Sequence, residues 1–160
     1  MNSKTNILTP DADWVYLDTC TYNRPFDDQA RVDVRFEAEA KIYIQDKIKQ
    51  GKLHLVWSYI LEFENARNPF PMRKMAIFKW KKIATRHILE TLTVLENAKM
   101  LEKKGLKAKD ALHVSCAMEA HVKFFITTDK KILRKLKDFE SIVVLSPLDF
   151  LMLLEGKNDC

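Results

Sequence analysis

The chain is expected to fold as an α/β protein, a three-layer α/β/α sandwich built on a central, mainly parallel sheet. Three observations predict this. Short apolar runs, Trp14-Val15-Tyr16-Leu17 and Ile142-Val143-Val144-Leu145 among them, do not alternate with polar residues, the mark of strands buried on both faces. Stretches of helical period separate these runs, as crossover connections do. Only three glycines and five prolines interrupt 160 residues, so loops are few and regular elements long.

Taken in order, residues 1–13 read as a lead-in with Pro10, Asp11 and Asp13 as turn formers, and residues 14–155 as one domain followed by a tail at 156–160. The first strand, 14–17, ends at Asp18, and a polar loop covers 19–28. Phe36, Ala40, Tyr43, Ile44 and Ile48 then fall at helical spacing, with Gly51 closing the helix. A second strand at 53–57 leads to Ser58 as N-cap of a helix through Arg67, which Pro69 and Pro71 interrupt. Residues 72–104 read as two helices with Met75, Phe78, Ile83, Leu89, Leu92 and Leu95 facing the core, up to Gly105. A helix at 108–121 carries Ala111, Leu112, Ser115, Ala117 and Met118 inward. A third strand at 123–127, a helix at 129–136, a fourth strand at 142–145 and a helix at 147–154 complete the chain, Pro147 standing at a helix start.

The composition narrows the functional classes. Lys and Arg number 27 against 22 Asp and Glu, a net charge of +5, which suits a polyanionic partner without requiring one. Cys20, Cys116 and Cys160 are far apart and form neither a zinc motif nor a disulfide framework, as expected of a reducing cytoplasm. No signal-peptide pattern or membrane-length apolar run is present. With three glycines, a P-loop, a G-x-G-x-x-G turn and a G-x-S-x-G elbow are all excluded.

What stands out is where the acids lie. Asp18 follows the first strand directly, Asp129 follows the third, Glu62 and Glu64 begin the helix after the second, and Asp110 lies in the first turn of a later helix. In a parallel sheet these positions share the carboxyl edge, where ligands bind. Each acid taken singly is explained as a helix cap. Together, carboxylates so gathered repel one another unless a cation lies between them, and hard oxygen ligands suit Mg²⁺ or Mn²⁺. Such ions activate water and neutralise a phosphodiester.

Val15-Tyr16-Leu17-Asp18-Thr19-Cys20 with Asn23-Arg24-Pro25-Phe26-Asp27-Asp28, the segment Ser58 to Glu64, Lys109-Asp110-Ala111-Leu112-His113 and Ile126-Thr127-Thr128-Asp129 resemble, in order and spacing over about residues 14–146, a bacterial branch of the PIN-domain family. The resemblance implies an α/β/α sandwich, a divalent metal and cleavage of RNA. In many relatives the domain is the toxin of a toxin–antitoxin pair, so an antitoxin protein is an implied partner, and such domains often form homodimers. Carried over by position, Asp18, Asp110 and Asp129 become metal ligands and catalytic residues, with Thr127 supporting them. The family's glutamate falls six residues after the strand-end serine, which selects Glu64. Glu62 would point to another face of the helix, so the two cannot serve equally.

Seven basic residues and no acid occupy 66–89 (Arg67, Arg73, Lys74, Lys79, Lys81, Lys82, Arg86), with Phe70, Phe78 and Trp80 among them. This reads either as a solvated helix face or as a ridge that tracks phosphates. Lys130, Lys131, Arg134, Lys135 and Lys137 follow Asp129 and would rim the acidic pocket. Arg24 and Lys130 are candidates for holding substrate phosphate, although a surface salt bridge serves equally for Arg24. His113 falls one helical turn after Asp110, where a satisfied, partly buried histidine is the plain reading. Two other functions fit the pattern less well. An aspartyl-nucleophile phosphohydrolase would need an acid two residues after Asp18, where Cys20 stands; a non-catalytic module of the same fold would bind RNA or protein without cleaving it.

Overall fold

The computed structural model describes residues 14–156. The expected lead-in and most of the tail, with Cys160, lie outside the described residues.

Five parallel strands form one sheet in the order β3-β2-β1-β4-β5, namely β1 (Trp14–Leu17), β2 (His54–Ser58), β3 (Arg86–Ile88), β4 (Phe124–Ile126) and β5 (Val143–Leu145). The inner strands carry the buried apolar runs, whereas the edge strands β3 and β5 are partly exposed. Crossovers run from β1 outward to β3, then return past β1 to β4. Right-handed connections in opposite directions cover opposite faces of the sheet, which gives the three layers. The order reverses between β1 and β4, so the switch point lies where Asp18 and Asp129 follow their strands.

Eight α-helices are present among the described residues: α1 (Thr19–Asn23), α2 (Val32–Lys49), α3 (Tyr59–Ala66), α4 (Pro71–Ile83), α5 (Leu92–Lys103), α6 (Ala108–Glu119), α7 (Lys130–Lys135) and α8 (Pro147–Gly156). A 3-10 turn, Arg24–Phe26, follows α1. Helix α2 packs against α8 and α5 against α6. Asp18, Ser58, Thr91 and Asp129 accept backbone N–H groups as N-caps of α1, α3, α5 and α7. Gly51 and Gly105 close α2 and α5 with positive φ of 78° and 104°, a conformation that costs other residues a steric clash.

Three expectations are corrected. The stretch 19–28 is not a loop: the Asp18 cap starts α1 within it, followed by the 3-10 turn. The stretch 72–104 hides a fifth strand, β3, too short and too exposed to show a buried apolar run. The helical phase of that stretch also differs. Met75, Phe78, Leu89 and Leu92 are exposed, as is Phe36 on α2, while Ile77 and Trp80 on α4 and Val94, Ala98 and Leu101 on α5 face the core. Long apolar side chains mislead there, because small Ala98 fits between packed helices where a larger residue does not.

One buried charge stands outside the acidic edge. Lys41 on α2 is 4% exposed, with its ammonium 5.4 Å from the centre of the Tyr22 ring. Burial, and then the charge of Lys49, draw its pKa down to about 7. A folded value below the ordinary one means that the fold pays to hold the ammonium below pH of about 7, and the penalty lifts as pH rises toward the usual lysine value of about 10.4. Lys41→Met should therefore melt a few degrees above the parent at about pH 6, with the advantage shrinking toward about pH 10. Thermal melts across that range check it, and a variant less stable at the acidic end would contradict it.

Candidate metal centre

Asp18 is 3% exposed at the end of β1, and every hydrogen bond it makes fixes it in place. The Thr21 N–H donates to Oδ1 at 3.0 Å, and the Thr127 hydroxyl donates to Oδ2 at 2.5 Å. Thr127, fully buried after β4, also accepts the Asp129 N–H at 3.0 Å. One hydroxyl thus ties the first acid to the backbone of the last. Burial raises the pKa of Asp18, with His113, Thr127 and Thr21 opposing the rise.

Glu64 lies across from Asp18 on α3. Its Oε1 accepts the Thr19 hydroxyl and faces Nε2 of His113 at 2.7 Å. Burial acts to raise its pKa, but the His113 hydrogen bond and charge, helped by Thr19, outweigh it and hold the carboxyl below its usual value. Glu62 goes elsewhere. It receives Trp57 Nε1–H at 3.2 Å, pairs with Lys81 at 2.9 Å, and lines an apolar groove with Asn65, Met75 and Phe78. The hydrogen bond from Lys81 is the main cause of its lowered pKa. Two positions on one helix thus face separate grooves, as the helical period demands.

Asp18, Glu64 and Asp110 line one cleft together with Thr19, Cys20, Arg67, Lys109 and His113. Asp110 also lines the adjoining cleft with Asp129, Lys107, Lys130, Lys131 and Lys135, so it stands between the two. Burial raises the pKa of Asp110 first, then the charges of Asp129 and Asp18, with a smaller push from Glu64. Cys20 feels the same set. Its thiol is pushed up to about 12 by burial and then by Asp18, Asp129, Asp110 and Glu64 in turn. Four carboxylates whose charges reach one thiol, three of them also acting on the fourth, Asp110, make one electrostatic locus.

The donor set is all hard oxygen, which fits Mg²⁺ or Mn²⁺ better than a thiophilic metal. Among the described residues, no three Asp, Glu, His or Cys side chains stand ready to hold an ion as a cage. The acids are spread around two clefts, so a shared ion requires side-chain rotation to draw them in. Asp129 has one oxygen engaged by the Lys131 and Ile132 N–H groups, and Glu64 has both of its bonds on Oε1. Each keeps an oxygen free of these bonds.

The basic candidates divide. Lys130 lines the cleft beside Asp129, as expected of a rim. Arg24 forms the salt bridges, with Glu37 at 3.1 Å and Asp27 at 3.2 Å, and lines neither cleft. Much of the 66–89 run is likewise engaged: Arg73 with the Phe26 carbonyl and Asp27, Lys81 with Glu62, and Arg86 with the Ala120 carbonyl. Arg67 alone of that group reaches the acidic cleft, its guanidinium 4.1 Å from the centre of half-exposed Phe63. Sequence reasoning did not single out Lys109, Thr19 or the pairing of His113 with Glu64. The only signal was the three-residue spacing of Asp110 and His113, which places them on one helix face.

The raised pKa of Asp110 has a consequence for stability. Its ionised form is disfavoured in the fold above the folded-state pKa, and the cost is relieved as pH falls through that value. Asp110→Asn should therefore leave the metal-free melting temperature level or higher near neutral pH, with the gain fading toward about pH 4. The rise in melting temperature on adding Mn²⁺ should shrink, because one ligand is lost. Paired melts with and without Mn²⁺ check this, and an undiminished Mn²⁺ shift would reduce Asp110 to a helix-start residue.

No family model matches the chain, and no curated protein matches it. Among solved structures it is similar to the crystal structure of PAE2754 from Pyrobaculum aerophilum, at 17% identity over 91% of this chain and 98% of that one, with a TM-score of 0.49. The likeness to PIN domains therefore stands on the residues of this chain alone.

Proposed function

We propose that the protein is a ribonuclease that cleaves RNA phosphodiester bonds with Mg²⁺ or Mn²⁺, as the PIN-domain resemblance implies. One observation carries the reading: Asp18, Glu64, Asp110 and Asp129 line two adjoining clefts at the carboxyl edge of a parallel sheet, beside its switch point, with lysines and an arginine on the surrounding walls. Acids alone would repel a polyanion, and bases alone would hold it without cutting. When bound, the ion activates water and neutralises charge on the phosphodiester.

The chain's own groups divide the remaining work. Asp18, Glu64, Asp110 and Asp129 would hold the ion, and Thr127 keeps Asp18 oriented toward it. Arg67 and Lys109 beside one cleft, and Lys107, Lys130, Lys131 and Lys135 beside the other, would hold backbone phosphates on both sides of the scissile bond. Phe63, half-exposed, lies under the Arg67 guanidinium and the Lys109 ammonium and so holds both cations beside the cleft. An aspartyl nucleophile at Asp18 is disfavoured, because Cys20 stands two residues on, where such an enzyme needs an acid. Whether an antitoxin protein or a second copy covers the clefts belongs to the same proposal and is tested by co-purification with the product of a neighbouring gene.

Purified protein should cut single-stranded RNA only with Mg²⁺ or Mn²⁺ present, and the rate should fall with rising salt as counterion release weakens capture. Cutting that persists in excess chelator would exclude the mechanism; tight RNA binding with no cutting under any metal would favour the non-catalytic module.

The two glutamates give a sharper test. Glu64→Gln should lower turnover more than tenfold, about 1.4 kcal/mol of barrier, while Glu62→Gln stays mild because its partners are Lys81 and Trp57. Single-turnover rates of the two variants decide, and the reverse order would move the site to the other groove.

A further inference from the structure

The ribonuclease reading leaves unexplained a chain of buried polar groups behind Glu64. His113 is 3% exposed and contacted at both ring nitrogens. Nε2 lies 2.7 Å from Glu64 Oε1, and Nδ1 lies 2.7 Å from the Tyr16 hydroxyl. That hydroxyl lies 2.6 Å from Ser58 Oγ, which accepts the Leu61 N–H at 3.3 Å as the cap of α3. Tyr16 is fully buried and its ring is stacked on Phe125 at 5.3 Å between centres, so the phenol cannot swing away.

Donor and acceptor capacities give the chain one direction when it ends on an ionised Glu64. A carboxylate only accepts, so His113 donates from Nε2, and in the neutral imidazole Nδ1 is then the acceptor. The Tyr16 O–H then donates to Nδ1, and the Ser58 hydroxyl donates to Tyr16. Burial drives the Tyr16 phenol well above its usual pKa, so it keeps its proton. Each link fixes the next: a helix cap sets the serine, the serine the tyrosine, the tyrosine the ring's tautomer, and the ring one oxygen of Glu64. The Thr19 hydroxyl closes on the same Oε1. Both bonds fall on one oxygen, so Oε2 alone is left for a ligand.

We propose, resting on the metal-dependent reading above, that His113 is a positioning residue which, anchored through Tyr16 to Ser58, holds Glu64 as a one-oxygen ligand of the divalent ion through Oε2. The arrangement follows the general behaviour of ligating carboxylates, whose outer hydrogen-bond partners typically contribute roughly tenfold to hundredfold in metal affinity or activity. It also gives a physical ground for the choice between the acids of α3, since Glu62 is instead bonded to Lys81 and Trp57 at another groove.

The test compares the full chain with His113→Leu, His113→Gln and Tyr16→Phe. The readouts are Mn²⁺ affinity by calorimetry, metal-free melting temperature, and kcat and KM on an RNA oligonucleotide. His113→Leu should weaken Mn²⁺ binding by roughly tenfold or more and lower kcat with KM little changed. His113→Gln, which can return an N–H to Oε1, should recover most of the Mn²⁺ affinity even where its metal-free melting temperature is no higher than that of the leucine variant. A purely structural histidine would show the two properties moving together. Tyr16→Phe, which keeps the ring stack, should weaken Mn²⁺ several-fold and decides the matter should the leucine variant not fold. Wild-type affinity and kcat in His113→Leu, or in Tyr16→Phe if only that variant folds, would overturn the positioning role while leaving the ribonuclease reading intact. No Mn²⁺ binding by the parent chain would overturn both.

Discussion

An ionisable carboxylate enclosed at the end of the central strand sets the terms for everything around it. Asp18 has almost no access to water, and a buried charge is tolerated only where hydrogen bonds or an opposite charge replace its hydration. The fold supplies the hydrogen bonds from Thr21 on the helix that Asp18 caps and from Thr127 just past the neighbouring strand β4. Those donors do not remove the charge, and Asp110, Asp129 and Glu64 add more of the same sign. The surroundings answer with cations set back on the rims and a histidine behind one acid. Repulsion at the centre and attraction at the edge are both properties of the same sheet edge.

The helices bring these groups in at different costs. Asp129 and Asp18 are helix caps, and the proposed metal site would use the same two carboxylates. Asp110 differs. It takes no part in capping α6, and the neighbouring carboxylates add to the burial that disfavours its charge. Its place in the first turn suits the helix dipole, and the proposed ion would in addition offset the repulsion it meets there.

Much of this was legible in the chain before folding. Unalternating apolar runs gave four of the strands, and acids placed just beyond strand ends or in first turns pointed to a shared edge, because both signals are local. What local signals cannot carry was missed. Strand β3 is three residues on an edge, half-polar, and is held by register with β2 rather than by its own sequence. Exposed Met75, Leu89 and Leu92 imitate a core stripe, while the core uses Ala98. Arg24 near Asp18 in sequence turns outward to Glu37 on α2. The chain from Ser58 to Glu64 through Tyr16 and His113 joins residues from four elements, and no spacing along the sequence encodes it.

The bond from Thr127 to Asp18 spans 109 positions of the chain, and β2 and β3 both lie between β1 and β4 in sequence. Contacts of such long range close late and slowly, since the loop entropy is lost before they return anything. During synthesis the first acid leaves the ribosome long before the last. Until the second half of the sheet docks, the growing chain holds Asp18 and Glu64 without Asp110 or Asp129, and half a charge cluster binds a divalent ion poorly. Topology thereby acts as a timer for the proposed site, whose four acids come together only once the second half of the sheet is in place.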